Sequence, residues 1–274
     1  MDLLLVGQAF ALILCAIAAY FDIRSGIIPD RLNYLFIAIG ILINLVAFNL
    51  AAFGIAAAVF VFGYILYLGG KIGGGDVKMF VAIALLVPLQ NGRVFIIDLL
   101  LVASIVALVG VSVYYLVKYA GKGIKLEDNK KNIPFAAIML LLSAGYVYAF
   151  YSFMHASLFF IGLLSIILLC ATAFVALERG IRKEFFLEKV SLGKLDEDEI
   201  IAYDFIDERT KKIILGEGRV LKGVLGSGEI ENLKKAKINE IPVYRSLPKF
   251  APFVLVALVA LLAFPNIVEM LIFL

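Results

Sequence analysis

Long apolar runs broken by short polar intervals dominate the pattern of this chain. Runs close to the length that spans a bilayer, about 20 residues, fall at 3–21, 33–50, 52–69, 93–118, 134–154, 156–177 and 250–273. A shorter run at 77–89 sits between a glycine-rich stretch and Pro88. Together they predict about eight membrane segments, with a range of six to eight. The 77–89 run is expected to be short or tilted and to rely on its neighbours. Before the first run the only charge is Asp2, and no basic region precedes it. It therefore reads as a retained membrane helix and not as a cleaved secretory signal.

Residues 179–248 have a different texture. They hold more than half of the 25 Lys and Arg and more than half of the 22 Asp and Glu. Ile200–Ile206, Lys212–Leu215 and Arg219–Leu225 are short and β-branched, punctuated by Gly216, Gly218, Gly223, Gly226 and Gly228. This predicts the strands and turns of a small soluble domain. The expected organisation is a membrane part at 1–178, a β-rich domain at 179–248 and a last membrane helix at 249–274. There is no internal repeat and no low-complexity linker.

Composition agrees with the pattern. Hydrophobic residues make up 63% and charged residues 17% of the chain, and mean hydropathy is +1.03. A soluble domain needs far more polar surface, so the class is a polytopic α-helical membrane protein whose surroundings are the lipid bilayer. A net charge of +3 is too small to point to nucleic acid. Cys15 and Cys170 are far apart and form no CxxC pair, which argues against a zinc ribbon or a disulfide framework. The single histidine, His155, falls in a turn between two apolar runs and is given no chemical role. No metal and no cofactor is expected.

Basic residues set the orientation. Arg24 and Arg31 flank the first loop, Lys71 and Lys78 flank the glycine-rich loop, and Lys118, Lys122, Lys125, Lys130 and Lys131 crowd the loop before Pro134. The alternate loops are nearly bare. With eight spans and the N-terminus outside, every basic loop and the 179–248 domain face the cytoplasm of a multi-pass protein in the cell membrane.

Two acids then stand out. Asp22 closes the first run, and Asp76 follows Gly73-Gly74-Gly75 at the start of the fourth. A charge near the bilayer core is disfavoured by ~2.5–3.5 kcal/mol on insertion scales, so an acid there suggests use. The two intervening runs make an out-and-back hairpin, which returns the chain to the same face and puts both acids at one depth. Two carboxylates within a few Å do not both ionise easily and hold one proton between them. The ionised member activates a water, and the protonated member donates to a carbonyl and then to a leaving nitrogen. Gly73, Gly74 and Gly75 lack Cβ and let a peptide backbone come close to the acid. Each acid also has a plainer reading, Asp22 as an interfacial boundary and Asp76 as a helix cap. Asp30, after Pro29, suits a helix start. Asp98 and Glu269 lie toward the outer ends of their runs. Lys71 and Lys78 are positive-inside residues with room for a secondary role in tuning the acids.

These residues resemble the type IV prepilin peptidases, including the archaeal preflagellin peptidases. That family carries one Asp at the cytoplasmic end of the first helix and a second in a G-x-G-D motif. Phe21-Asp22 with Ile28-Pro29-Asp30 is similar to the first region, and Gly73-Gly74-Gly75-Asp76-Val77-Lys78 to the second. Leu247-Pro248-Lys249-Phe250-Ala251-Pro252-Phe253 is similar to a Pro/Phe-rich element before the last helix of archaeal members. The resemblance implies an aspartyl endopeptidase, with Asp22 and Asp76 catalytic. Its partners would be pilin-like or archaellin precursors, whose basic leader precedes an apolar helix and is cut at the cytoplasmic face. Bacterial members that also N-methylate carry a cysteine-containing loop after the first helix. Here that loop is short and holds no cysteine, so no methyltransferase activity is expected.

Other classes fit some of the same residues. A presenilin-type intramembrane GxGD protease pairs Tyr-Asp with Gly-x-Gly-Asp on the next helix and adds Pro-Ala-Leu. Here the first acid follows Phe21, two runs intervene, and no Pro-Ala-Leu occurs. An ion- or proton-coupled transporter is a second alternative, but it needs polar groups across the bilayer where these runs are apolar. An interaction scaffold acting through 179–248 is a third.

Overall fold

The computed structural model describes residues 3–153, 157–191, 200–206, 233, 240–245 and 248–269. His155, Leu247, the expected strands Lys212–Leu215 and Arg219–Leu225 and the five glycines around them lie outside the described residues. The chain begins with α1 (Leu3–Ser25), α2 (Asp30–Val46), α3 (Leu50–Leu68) and α4 (Gly74–Leu86). A two-residue hairpin, β1 (Leu89–Gln90) and β2 (Arg93–Val94), leads into α5 (Phe95–Gly121). Its turn residues Asn91 and Gly92 both have positive φ, 52° and 76°, which gives the twist a tight antiparallel turn needs. Then come α6 (Leu126–Asn129), α7 (Ile133–Phe153), α8 (Leu158–Phe185), β3 (Leu187–Ser191), β4 (Ile200–Ile201), β5 (Glu240–Tyr244) and α9 (Ala251–Ala263).

Among the described residues each of the eight expected apolar runs holds a helix, but their lengths differ. Five of these described helices, α1, α3, α5, α7 and α8, are long and apolar enough to cross a membrane. Helix α2 has 17 residues, and α4 and α9 have 13 each. At about 1.5 Å per residue a 13-residue helix covers only ~20 Å of a ~30 Å hydrocarbon core. Proline sets the two shortest lengths. Val87 precedes Pro88 and Phe264 precedes Pro265, and the two adopt almost the same non-helical backbone, φ −133° ψ 75° and φ −130° ψ 76°. The proline ring clashes with a helical residue before it, so each helix stops there.

Helix α4 is the core of the membrane part. Met79, Ala82, Ile83 and Ala84 have no exposure at all. Helices α1, α2 and α3 pack around it, and α9 lies against α1 and α5. Close approach depends on absent side chains. A Cβ on Gly7 of α1 would overlap the Leu86 carbonyl, one on Gly40 of α2 would press on Leu85, and one on Gly63 of α3 would press on Val77. Asn44 of α2 donates to the Leu85 carbonyl at 2.6 Å and to its own Gly40 carbonyl at 2.7 Å. That serves an acceptor at the α4 C-terminus that would otherwise be orphaned in an apolar core. Helix α7, which packs on α8, buries only Ala136, as suits a helix solvated by lipid.

The three late strands form an antiparallel sheet in the order β3-β5-β4. The expected strand at Ile200–Ile206 is paired only over Ile200–Ile201, and Tyr203–Phe205 turns into a short 3-10 helix. Helix α8 continues through Phe185 past the end of its apolar run, helped by the i,i+4 pair Glu178–Arg182. The sheet is seated on this extension. Tyr244 of β5 packs on the cluster of Tyr119, Ile181 and Phe186. Arg182 lies 5.7 Å from the Tyr244 ring centroid and pairs with Asp204 at 3.4 Å.

Candidate active site

One face of α1 carries Gly7, Ala11, Leu14, Cys15, Ala18, Ala19 and Asp22, all buried. Spacings of three and four keep these residues in a single stripe. Asp22 is the last member of that stripe, so helical periodicity turns it inward and leaves it 7% exposed. Its Oδ2 accepts a hydrogen bond of 3.0 Å from the backbone N–H of Ala251, the first residue of α9. A helix N-terminus has unpaired N–H groups, and a carboxylate is a natural partner for them.

Asp76 enters from α4. Gly73 is the N-cap residue, and its N–H donates to Asp76 Oδ2 at 3.3 Å from three positions back. This is the backward half of a capping box. Asp76 therefore caps the helix from its third position and not from the N-cap itself, because the helix starts at Gly74 and not at Val77 as expected. Asp22 and Asp76 line one cavity of about 820 Å³ together with Gly73, Gly74 and Gly75. The two carboxylates are close enough to act on each other electrostatically.

The glycines are not equivalent. A Cβ on Gly73 would sit 3.1 Å from Asp76 Oδ2, and one on Gly75 would sit 3.2 Å from Ile28 Cβ and 3.3 Å from the Ile28 carbonyl. A Cβ on Gly74 meets only the Tyr67 ring, at 3.6 Å, an ordinary contact. A side chain at position 73 or 75 would be tight against its neighbour, and one at the position between them would not. That is a physical account of the G-x-G-D pattern.

Sequence reasoning missed two positioning contacts. Asn33 of α2 is fully buried and donates to the Gly75 carbonyl at 3.0 Å, tying the residue before Asp76 to α2. A signal for it was present. Asn33, Phe36, Gly40 and Asn44 are the buried residues of α2, a mixed polar and small stripe at helical spacing in an apolar run. The second contact is the Ala251 amide, a backbone group that side-chain chemistry does not betray. Near it Lys249 rests on Gly26, whose φ of 72° favours glycine.

Other candidate residues find different places. Asp30 starts α2 as expected, and it also pairs with Lys78 at 2.6 Å on the cavity wall. The Lys78 ammonium lies 5.3 Å from the centroid of the Tyr34 ring. Phe60, Tyr64 and Tyr67 of α3 line the same cavity. Asp98 and Glu269 both pair with Arg93, each at 3.2 Å, away from the cavity. Cys15 and Cys170 are free thiols. Among the described residues, no three His, Cys, Asp or Glu side chains gather as a metal site.

Comparisons with known proteins bear on the same region. Residues 9–113 match the type IV leader peptidase family, and this stretch contains both acids. The chain is similar to the prepilin peptidase EppA of Methanothermobacter thermautotrophicus, 37% identical over 100 residues, which are 33% of this chain and 26% of that protein. The chain thus spans about a quarter of the length of this curated relative. No solved structure gives a significant match.

Proposed function

We propose that this chain, whose residues 9–113 match the type IV leader peptidase family, is a membrane aspartyl endopeptidase with Asp22 and Asp76 as its catalytic pair. The observation that carries the reading is that these two acids, on different helices, line one cavity inside the family-matched stretch. Its substrates are pilin-like or archaellin precursors, from which it removes a basic leader ahead of an apolar helix. Three carboxylates, Asp22, Asp30 and Asp76, against one ammonium, Lys78, line the cavity, which supports a basic peptide as the occupant.

The reaction uses one proton shared by the pair. The ionised carboxyl takes a proton from a water, whose oxygen attacks the scissile carbonyl carbon, while the protonated carboxyl gives its proton to the carbonyl oxygen. The tetrahedral diol then collapses. The carbonyl re-forms, the C–N bond breaks, and the departing amine takes a proton from the carboxyl that abstracted the first one. The other carboxyl recovers its proton from the diol hydroxyl, and the pair is restored. Glycines at 73–75 leave space for a substrate backbone beside Asp76. The α1–α2 connection is only Gly26–Pro29 and has no cysteine, which supports peptidase activity without N-methylation.

Cleavage of a pilin-like precursor by the purified protein in lipid vesicles tests the reading, with the new N-terminus identified by mass spectrometry. The proposed orientation, with the site facing the cytoplasm, has its own test. Gly74→Cys, at the motif glycine where a Cβ meets only the Tyr67 ring, in a background lacking Cys15 and Cys170, should react with a membrane-impermeant thiol reagent only from the cytoplasmic side. Labelling from outside would overturn it.

A further inference from the structure

The late sheet reaches the proposed active site. Ile200 of β4 lines the cavity that holds Asp22 and Asp76, and it is the sole described lining residue beyond Lys78. Its position is fixed from behind. Ile200 is paired with Tyr244 of β5. Tyr244 in turn packs on the Ile181–Phe186 cluster of the α8 extension, with the Arg182 guanidinium beside its ring. Further along the chain, the N–H of Ala251 holds Asp22.

We propose that Ile200 is a specificity residue, an apolar wall contact for the side chain next to the scissile bond. The inference rests on the endopeptidase reading. Acids mark the corner of the cavity where a peptide carbonyl must sit. Ile200 is part of its apolar surface, together with the α3 aromatics and residues such as Ile28 and Ile72. A peptide whose carbonyl reaches the acids in a cavity of this size, about 820 Å³, puts a neighbouring side chain against that surface. An apolar contact of this kind acts on binding and leaves the acid–base step alone, so it moves KM and the ranking of substrates more than kcat.

The test combines kinetics and cross-linking. Ile200→Ala and Ile200→Asp are compared with the wild type on precursors that carry Ala, Val or Phe on either side of the cut. The expected result is a KM about 5- to 50-fold higher for the apolar precursors, the scale set by one apolar side-chain contact, with kcat within about twofold. Thermal unfolding in detergent separates this effect from loss of fold. Independently, Ile200→p-benzoylphenylalanine in the Asp76→Asn background should photo-cross-link a bound precursor at residues flanking the cut, while the same probe at Glu188 of β3 should not. KM values and substrate ranking that match the wild type, or a cross-link no stronger than from position 188, overturn the proposal. Because cross-linking needs no turnover, a precursor captured by this variant but never cut by the wild type refutes the peptidase reading and still supports Ile200 as a wall of the peptide site.

Discussion

Asp22 Oδ2 and the Ala251 N–H form a buried hydrogen bond of 3.0 Å across a separation of 229 residues. The first helix and the last described helix are thus joined at a proposed catalytic group. A buried hydrogen bond to a carboxyl is worth ~1.5–3 kcal/mol. Ala251→Pro removes the N–H at a helix position where proline is tolerated. It should lower the cleavage rate about 10- to 100-fold, while Ala251→Gly, which keeps the N–H, should cost much less. Initial rates on one precursor, with thermal unfolding as the check on folding, give the comparison.

Asn33 is the second positioning group. Asn33→Leu preserves volume and removes the donor to the Gly75 carbonyl, leaving a buried acceptor unserved at ~1–3 kcal/mol. Gly75 adjoins Asp76, so the backbone that aims the acid should loosen. The expected outcome is a fall in kcat of about tenfold or more with KM nearly unchanged, measured by full kinetics on a single precursor.

The three motif glycines should respond unequally. Gly75→Ala forces a Cβ against Ile28 and should reduce both activity and thermal stability. Gly74→Ala adds only an ordinary contact with Tyr67 and should be close to neutral. Equal tolerance at both positions, measured by cleavage rate and melting temperature, would contradict the account of the motif given by the packing.

A pair that works with one shared proton has a pH signature. At low pH both carboxyls are protonated and the water lacks a base. At high pH both are ionised and the carbonyl oxygen lacks a donor. The profile of kcat/KM should therefore be bell-shaped, and its two limbs belong to the pair and not to either residue. A profile with a single limb would mean that only one of the acids takes part in proton transfer.

Much of this arrangement was legible in the residues, for reasons that differ from one element to the next. Apolar runs marked eight of the nine described helices, all but the short polar α6, because burial in lipid or core demands them. The inward turn of Asp22 was readable from the stripe Gly7–Ala11–Cys15–Ala18–Asp22, since helical spacing alone puts those residues on one face. Helix lengths were legible unevenly. The 77–89 run was expected to be short, and α4, stopped before Pro88, has 13 residues, whereas the 250–273 run suggested a longer helix than α9, whose 13 residues stop before Pro265. The expected strand at Ile200–Ile206 shrank to Ile200–Ile201 because only these residues have a partner strand in β5. Pairing is a property of the fold and not of the segment. The Ala251 amide was invisible because any residue but proline carries the same donor. Asn33 was overlooked because a single polar residue in a run reads as an interruption until its face is known.

The most direct measurement of the central claim is cleavage of a pilin-like precursor by Asp22→Asn and Asp76→Asn, each purified into the same lipid vesicles as the wild type. Asparagine keeps the shape of the side chain but can neither accept the water's proton nor carry the one owed to the substrate. Loss of a general acid or base costs typically about 10²- to 10⁴-fold, so each variant should fall by at least about a hundredfold while binding the precursor and unfolding at a similar temperature. A variant that removes the leader at near wild-type rate would contradict the two-acid mechanism.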